Sequence, residues 1–291
     1  MKALKRGINL WSIFGWKYQG HPPLEEIFKK IKEIGFDGIE FVYDTGNLHP
    51  DILDRKTRKN ILETCESLEL EIPSVATGVF WRFNLGSPDE KIRRRGLKFL
   101  QRGLELAYDL EAKVLLVVPA VASPDVPYEK TFELSVESLR KGAKWAEDYG
   151  VIIGVENVWN KIFYSPLEFK SFLDKINSEY VQAYLDIANT VNFSYPEHWI
   201  SLLKGRIASV HAKDFDLNVG NIQGFRHLLK GSVDWFKMVR LLREAGYDGY
   251  LVLETPPEFD PELKEAKYPE DGYKYAKYNL EALNKIISQE K

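Results

Sequence analysis

The sequence predicts an α/β fold, a single-domain (β/α)8 barrel that extends over residues 1–291. Eight short apolar segments rich in β-branched residues alternate with longer amphipathic segments, and no linker or low-complexity tract interrupts the series. No glycine-rich phosphate turn follows the first segment, as a doubly wound dinucleotide-binding sheet would require. Closed α/β barrels often reach this length as one domain. The eight predicted strands are 7–10, 38–41, 72–76, 114–118, 151–155, 181–185, 207–210 and 250–253.

The segments between the predicted strands have the period of an amphipathic helix. In the first of them, one face carries the apolar side chains Leu24, Ile27, Phe28, Ile31 and Ile34. Ser165 followed by Pro166 is typical of a helix N-terminus, with Ser as the cap and Pro in the first turn. Several helices are expected to end at a left-handed glycine before the next strand, at Gly35, Gly150 and Gly246.

The amino-acid composition argues against several classes of function. The formal net charge is -3, and the Lys and Arg residues are interspersed with Asp and Glu, so the chain lacks the basic surface that nucleic-acid binding needs. The single cysteine, Cys65, excludes an intrachain disulfide and a cysteine-built metal site. The longest apolar run, 114–122, is too short to span a bilayer, and no secretory signal begins the sequence. We therefore expect a cytoplasmic protein with no membrane or nucleic-acid partner.

Four consecutive late strands are each followed directly by a potential metal ligand. Predicted strands five, six, seven and eight lead into Glu156, Asp186, His211 and Glu254. The carboxyl ends of barrel strands meet at one rim, where such enzymes carry their chemistry. Three carboxylates brought together there would repel one another unless a cation lay between them. Three oxygen donors and one imidazole suit Mn²⁺, Co²⁺ or Mg²⁺, with Zn²⁺ also possible, so one divalent metal ion is predicted.

The segments around these residues resemble the xylose isomerase-like TIM barrel superfamily, and most closely its D-tagatose 3-epimerase and sugar phosphate isomerase-epimerase members. The resemblance rests on Gly154-Val-Glu-Asn-Val-Trp-Asn160, Leu185-Asp-Ile-Ala-Asn189, Val210-His-Ala-Lys-Asp214 and Leu251-Val-Leu-Glu254. It covers essentially the whole chain and includes the order Glu, Asp, His, Glu.

This resemblance implies an isomerase or epimerase of a ketose, keto-sugar acid or sugar phosphate. Glu156 and Glu254 would be metal ligands and also the catalytic acid/base pair, while Asp186 and His211 would be ligands only. Proton removal from a carbon next to a ketone, and its return on the other face, requires two such groups, and the metal would stabilise the enediolate between the two steps.

The chain departs from the ketose 3-epimerase pattern at three positions that contact substrate in that family. Asn189 stands where the family has His, Ile162 where it has Glu, and Leu217 where it has Arg. Asn189 remains a candidate for a hydrogen bond to a sugar hydroxyl, and a turn or capping role is equally compatible with it.

Five further residues are candidate substrate contacts. Lys213 is two residues after His211 on the same side of the strand and is suited to a carboxylate, phosphate or enolate oxygen; an ion pair with Asp214 or Glu254 is the alternative. Trp81 lies in the loop after strand three, where an aromatic ring could stack on a sugar face. Trp11, Trp16 and Trp159 lie in comparable rim loops; core packing or subunit contact explains each singly, and together with Trp81 they predict an aromatic-lined mouth. Glu40, His198 and Arg226 are the other candidates, and a structural role explains each of them at least as well as a substrate contact. Outside these, His227 lies in a polar loop, where we expect it to be solvated.

Three alternatives to the epimerase remain open at this point. An inosose-type dehydratase would use the same enolate chemistry. A DNA-repair endonuclease of the type IV family would need several more histidines, including one at Asn189, and three metal ions. A non-catalytic sugar-binding barrel would not need two glutamates beside a metal. The exposed aromatic residues expected at the rim are compatible with a homodimer or homotetramer.

Overall fold

Eight parallel strands close into a barrel in this computed structural model, which describes residues 4–16, 18 and 20–288. Around the barrel the strands follow the order β1-β10-β7-β6-β5-β4-β3-β2, and β8 and β9 form a separate antiparallel pair. The fold class predicted from the sequence is confirmed. The strands are β1 (Lys5–Asn9), β2 (Gly38–Tyr43), β3 (Glu71–Thr77), β4 (Val114–Val117), β5 (Ile152–Glu156), β6 (Val181–Asp186), β7 (Ile207–Ala212), β8 (Asp214–Phe215), β9 (Phe225–Arg226) and β10 (Tyr250–Leu253).

All eight predicted strands are present, and the boundary differences lie mostly at their ends. Strands β5, β6 and β7 continue through Glu156, Asp186 and His211, which the prediction placed just beyond or at the strand ends. The pairing explains the extension, because Glu156 is in register with Tyr184, and Asp186 with His211. The backbone of the rim residues is therefore held by the barrel ladder rather than by a free loop.

Helices surround the barrel and begin and end largely where the sequence signals indicate. Asp54, Asp89 and Asp234 each cap a helix by accepting hydrogen bonds from backbone N–H groups of its first turn. Gly35 and Gly150 end their helices in the left-handed conformation, as predicted. The helices are α1 (Trp11–Phe14), α2 (Leu24–Ile34), α3 (Arg55–Ser67), α4 (Val79–Arg82), α5 (Glu90–Asp109), α6 (Tyr128–Tyr149), α7 (Pro166–Ile176), α8 (Ile187–Thr190), α9 (Pro196–Leu202), α10 (Trp235–Glu244) and α11 (Glu270–Ser288).

Two details of the helix ends differ from expectation. Ser165 occupies the cap position of α7 with Pro166 in the first turn, but its side chain makes no capping hydrogen bond. Gly246 has a φ of 87° and lies one residue beyond the cap of α10, which is Ala245.

Among the described residues, no helix combines the length and the apolar character needed to cross a membrane.

His227 is buried, which corrects the expectation that it is solvated. Its ring is 4% exposed and stacks on Tyr275 of α11 with ring centroids 4.4 Å apart. Its Nδ1 lies 2.9 Å from Nδ2 of Asn279, so the ring accepts at Nδ1 and carries its proton on Nε2. Burial lowers the pKa of His227 to about 4, against the opposing effect of the nearby Asp260.

The low pKa of His227 predicts a specific loss of stability in mild acid. Below pH 6.5 the unfolded chain protonates this histidine, whereas the folded chain does so only near pH 4, so stability present above pH 6.5 is lost as the pH falls. We expect this residue to account for about 2 kcal/mol of the stability lost between pH 7.5 and pH 5.0. Urea unfolding at both pH values should show a correspondingly smaller loss in the variant His227→Gln. His198→Gln, a change at an exposed histidine, should keep the wild-type dependence, and identical pH profiles for all three proteins would contradict the prediction.

Candidate metal centre

Four side chains from adjacent barrel strands meet at one rim. Glu156 ends β5, Asp186 ends β6, His211 is the penultimate residue of β7, and Glu254 directly follows β10. These four strands are neighbours in the barrel. One ligand atom from each residue can be chosen so that all four lie within 4.8 Å of one another, and all four residues are buried. In the described part of the chain, this is the one group of His, Cys, Asp or Glu residues arranged closely enough for a shared cation.

The imidazole of His211 has different partners on its two nitrogens. Nδ1 faces the rim, 3.1 Å from Oε1 of Glu156, 3.8 Å from Oδ2 of Asp186 and 3.7 Å from Oε2 of Glu254. Nε2 points into the barrel, 2.8 Å from Oε1 of Glu40. A carboxylate bound to the far nitrogen of a metal-ligating histidine fixes the tautomer that leaves the near nitrogen free to bind. Nδ1 is therefore the ligand atom that the arrangement offers.

Glu40 is held beneath His211 by polar side chains from three other strands. Asn9 donates to its Oε1 at 2.6 Å, and Ser74 donates to its Oε2 at 2.6 Å. The hydroxyl of Tyr184 also donates to Oε2. Burial alone would raise the pKa of Glu40, but His211 and these donors bring it below its usual value. Glu40 is thus an ionised, fully buried group that orients His211.

The electrostatics at the rim distinguish Glu156 and His211 from ordinary surface groups. Burial raises the pKa of Glu156 to about 7, although the neighbouring His211 opposes the shift. For His211, burial favours the neutral ring, but Glu254 and Glu40 raise its pKa well above the usual value. Acidic groups with pKa values near neutrality are characteristic of sites that transfer protons.

Lys213 lies inside the cluster. Its Nζ is 2.6 Å from Oδ2 of Asp186 and donates to Oε2 of Glu254, and it stacks over Phe225 at 5.0 Å from the ring centroid. The residue is 5% exposed. Burial alone would lower its pKa, but Asp186 and Glu254 raise it, so the ammonium stays charged. One of the two alternatives from the sequence, an ion pair with Glu254, is therefore present, and Lys213 also borders the cavity described next.

A cavity of about 840 Å³ opens above the cluster at the carboxyl end of the barrel. Glu156, Glu254 and Lys213 form part of its floor. Its walls carry many aromatic rings, and those that line it are Trp11, Trp16, Tyr43, Trp81, Phe83, Trp159, Phe225 and Phe259. The aromatic mouth expected from the sequence is therefore present.

The predicted substrate contacts divide into two groups. Lys213, Asn189 and Trp81 line the cavity. Asn189 also donates from Nδ2 to the backbone oxygen of Asn157 at 3.0 Å, so its side chain has a structural role, and its contact with substrate stays a prediction.

Glu40, His198 and Arg226 do not line the cavity, which corrects their assignment as substrate contacts. Glu40 is enclosed behind His211, and His198 is exposed on α9. The Nη1 atom of Arg226 donates to the carbonyl oxygens of Gln223 at 2.6 Å and Phe225 at 2.8 Å, so its guanidinium stabilises its own loop.

Sequence reasoning missed three residues that support the site. Tyr184 and Ser74 bind Glu40, and Asn157 exchanges two hydrogen bonds of 2.8 Å with the backbone of Asp186. A signal existed for Tyr184, because it precedes Asp186 by two residues and so points to the same side of β6. The sequence carried no such signal for Ser74 or Asn157, because their hydrogen-bond partners lie on other strands.

The role of Glu40 leads to a testable expectation. Glu40→Gln keeps the shape of the side chain but removes the negative charge behind the imidazole, so Mn²⁺ affinity should fall about tenfold. Isothermal titration calorimetry with Mn²⁺ measures the change. Ser74→Ala, which removes one hydrogen bond to Glu40, is the matched control and should have a smaller effect. Equal affinities for wild type and Glu40→Gln would show that Glu40 does not tune the site.

The donor set fits a divalent cation. Three carboxylates and an imidazole are hard to intermediate ligands that suit Mn²⁺, Co²⁺ or Mg²⁺. Oδ2 of Asp186 faces the ammonium of Lys213 at 2.6 Å, and Oδ1 accepts the backbone N–H of Asn189 at 2.9 Å. With His211 neutral as a ligand, the three buried carboxylates outnumber this ammonium, and a divalent cation would offset the remaining negative charge.

Comparisons with known proteins agree with this architecture. The family model described as the xylose isomerase-like TIM barrel matches residues 28–277. A protein of Methanocaldococcus jannaschii is 27% identical over 242 residues, covering 80% of this chain and 79% of the relative. L-ribulose-5-phosphate 3-epimerase of Salmonella heidelberg is 25% identical over 230 residues, covering 77% and 78%.

A solved structure with lower sequence identity confirms the fold. D-psicose 3-epimerase from Clostridium cellulolyticum H10 superposes with a TM-score of 0.79 at 19% identity, covering 98% of this chain and 99% of that one. The match of the family model to most of the chain decides the classification. The chain is an enzyme and belongs to the xylose isomerase-like TIM barrel family.

Proposed function

We propose that the protein is a divalent-metal-dependent isomerase or epimerase of a ketose, keto-sugar acid or sugar phosphate. The observation that carries the proposal is the position of two glutamates at the cavity floor. Glu156 and Glu254 come from β5 and the end of β10, and the strands of Asp186 and His211 lie between them. The two carboxylates therefore lie at the two ends of the row of four residues that would hold the cation.

Glu156, Asp186, His211 and Glu254 would hold the metal, which when bound would polarise the substrate carbonyl and stabilise negative charge on its oxygens. Epimerisation then requires the removal of a proton from the carbon next to the carbonyl and its return to the opposite face. We assign these two proton transfers to Glu156 and Glu254.

Other residues of the cavity would position the substrate. The ammonium of Lys213 donates to Glu254, and we propose that it binds a substrate oxygen that gains negative charge as the proton leaves. Trp159 and Phe225 enclose this part of the cavity and exclude water from it. Related sugar-phosphate and ketose epimerases among the relatives support this assignment of the reaction class.

The direct test is deuterium exchange from solvent into candidate ketoses. The protein with one equivalent of Mn²⁺ is incubated in D₂O with each sugar, and incorporation at the carbons next to the carbonyl is followed by NMR. We expect exchange that requires the added metal and one bound ion per chain. Three ions per chain would favour the endonuclease, release of water from an inosose would favour the dehydratase, and binding without exchange or turnover would favour a non-catalytic barrel.

A further inference from the structure

The cavity has an exposed aromatic region that does not belong to the metal ligands. Trp16 follows α1 and is 60% exposed, and Trp81 lies on α4 and is 47% exposed, yet both line the cavity. They extend from β1 and β3, whereas the ligand set extends from β5, β6, β7 and β10, so β1 and β3 flank the ligand-bearing strands and β2 lies between them. Exposed indole faces at a cavity wall are costly to leave in water and favourable to cover with a flat, partly apolar ligand.

The cavity is larger than one sugar ring needs. Its volume is about 840 Å³. A hexose occupies about 180 Å³, roughly the share of six water molecules in the liquid. A single ring held at the cation by two oxygens would leave the Trp16 and Trp81 side of the cavity to solvent. A second ring linked to the first would extend across the mouth towards that side.

In the loop after β7, backbone N–H groups are bound by a side chain of the protein itself. Barrels commonly bind phosphate at the loops after strands seven and eight. Here the loop after β7 directs the N–H groups of Phe215 and Val233 to Oδ1 of Asp214, at 2.8 and 3.0 Å. Gly231 packs so closely that a Cβ there would lie 2.3 Å from the same oxygen. These two N–H groups are therefore not free to bind a phosphate.

The charges of the outer cavity also disfavour a phosphate. Among the described residues other than the metal ligands and Lys213, the charged residues lining the cavity are Asp44, Arg82 and Glu258. These two acids and one base together carry a net negative charge, which repels a dianion, and the acids offer acceptors for sugar hydroxyl groups.

We propose that the substrate is an uncharged two-ring keto-sugar, with its keto ring at the metal ligands and its second ring stacked against Trp81 and Trp16. This inference rests on the proposed function and narrows its substrate class to neutral glycosides, away from phosphate esters. The second ring would supply binding energy from a part of the molecule that does not react.

Sugars that differ at one substituent test the inference. D-fructose, D-fructose 6-phosphate, isomaltulose (glucose linked to O6 of fructose) and lactulose (galactose linked to O4 of fructose) are titrated by calorimetry into the Mn²⁺-loaded protein. We expect at least one disaccharide to bind ten times more tightly than fructose, and fructose 6-phosphate to bind no more tightly than fructose. Trp81→Ala should weaken disaccharide binding far more than fructose binding and so remove the disaccharide advantage. Tyr195→Ala, a change at an exposed aromatic residue that does not line the cavity, should leave all four affinities unchanged.

The outcomes separate this inference from the proposed function. If neither disaccharide binds more tightly than fructose, if the phosphate ester binds most tightly, or if Trp81→Ala weakens fructose and disaccharide equally, the two-ring inference is wrong. Deuterium exchange measured in the same samples tests the reaction. Exchange into fructose without a disaccharide preference would support the epimerase proposal and overturn the two-ring substrate. A disaccharide preference without exchange into any sugar would support the two-ring ligand and overturn the epimerase proposal.

Discussion

Glu254→Gln is expected to lower deuterium exchange into the substrate at least a hundredfold at saturating Mn²⁺. Glutamine has nearly the same shape and can still offer an oxygen to a cation, but it cannot accept and return a proton, and such groups contribute about 10²–10⁴-fold to rate. The measurement is the exchange rate by NMR, with metal saturation checked by calorimetry. Circular dichroism should show an unchanged fold.

The matched control for this variant is Glu258→Gln. Glu258 lines the same cavity, but its Oε2 accepts a hydrogen bond of 2.5 Å from the hydroxyl of Tyr268, and it is not among the clustered ligands. Its replacement should change the rate by less than tenfold. If Glu254→Gln retained more than a tenth of wild-type exchange with metal bound, Glu254 would not be a proton-transfer group.

Asp186→Asn is expected to abolish the stabilisation that Mn²⁺ gives to the wild-type protein. A metal present at a hundred times its Kd stabilises the folded state by about 2.7 kcal/mol, which raises the Tm of a chain of this size by several degrees. Asp186 supplies a fully buried oxygen to the group, and an amide cannot supply the lost negative charge. Thermal unfolding with and without Mn²⁺, together with EDTA treatment, measures the effect.

Asp44→Asn is the control for the metal experiment. Asp44 lines the cavity, but its Oδ1 accepts backbone N–H groups of Gly46 and Leu48 at 2.7 and 3.1 Å and lies outside the ligand group. This variant should keep the Tm increase. An Asp186→Asn protein that Mn²⁺ still stabilises as strongly as wild type would remove Asp186 from the proposed ligands.

The sequence predicted the barrel and the meeting of four side chains because both depend on short-range patterns. An apolar strand buried on both faces is visible as a continuous run, and the residue after it must lie at the rim. Glu156, Asp186 and Glu254 are placed by this rule alone. Their roles as ligands and acid/base groups stay predictions that the variants above test.

The structural corrections concern contacts between distant parts of the chain. Glu40 is also near a strand end, but the sequence does not show that the ring of His211 reaches across the barrel to it. For Arg226, the deciding partners are carbonyl oxygens of its own loop, which form only when the loop folds. Burial of His227 depends on α11, whose Tyr275 and Asn279 are about fifty residues away in sequence.

The separation of the four clustered ligands from the exposed tryptophans has an evolutionary and practical consequence. Every member of the ligand group lies between residues 156 and 254, whereas Trp16 and Trp81 lie in the first third of the chain. If the two-ring proposal holds, selectivity would diverge by mutation or recombination in the loops after β1 and β3 while the segment with the four clustered residues is inherited intact. Grafting those two loops between family members would then change the sugar preference.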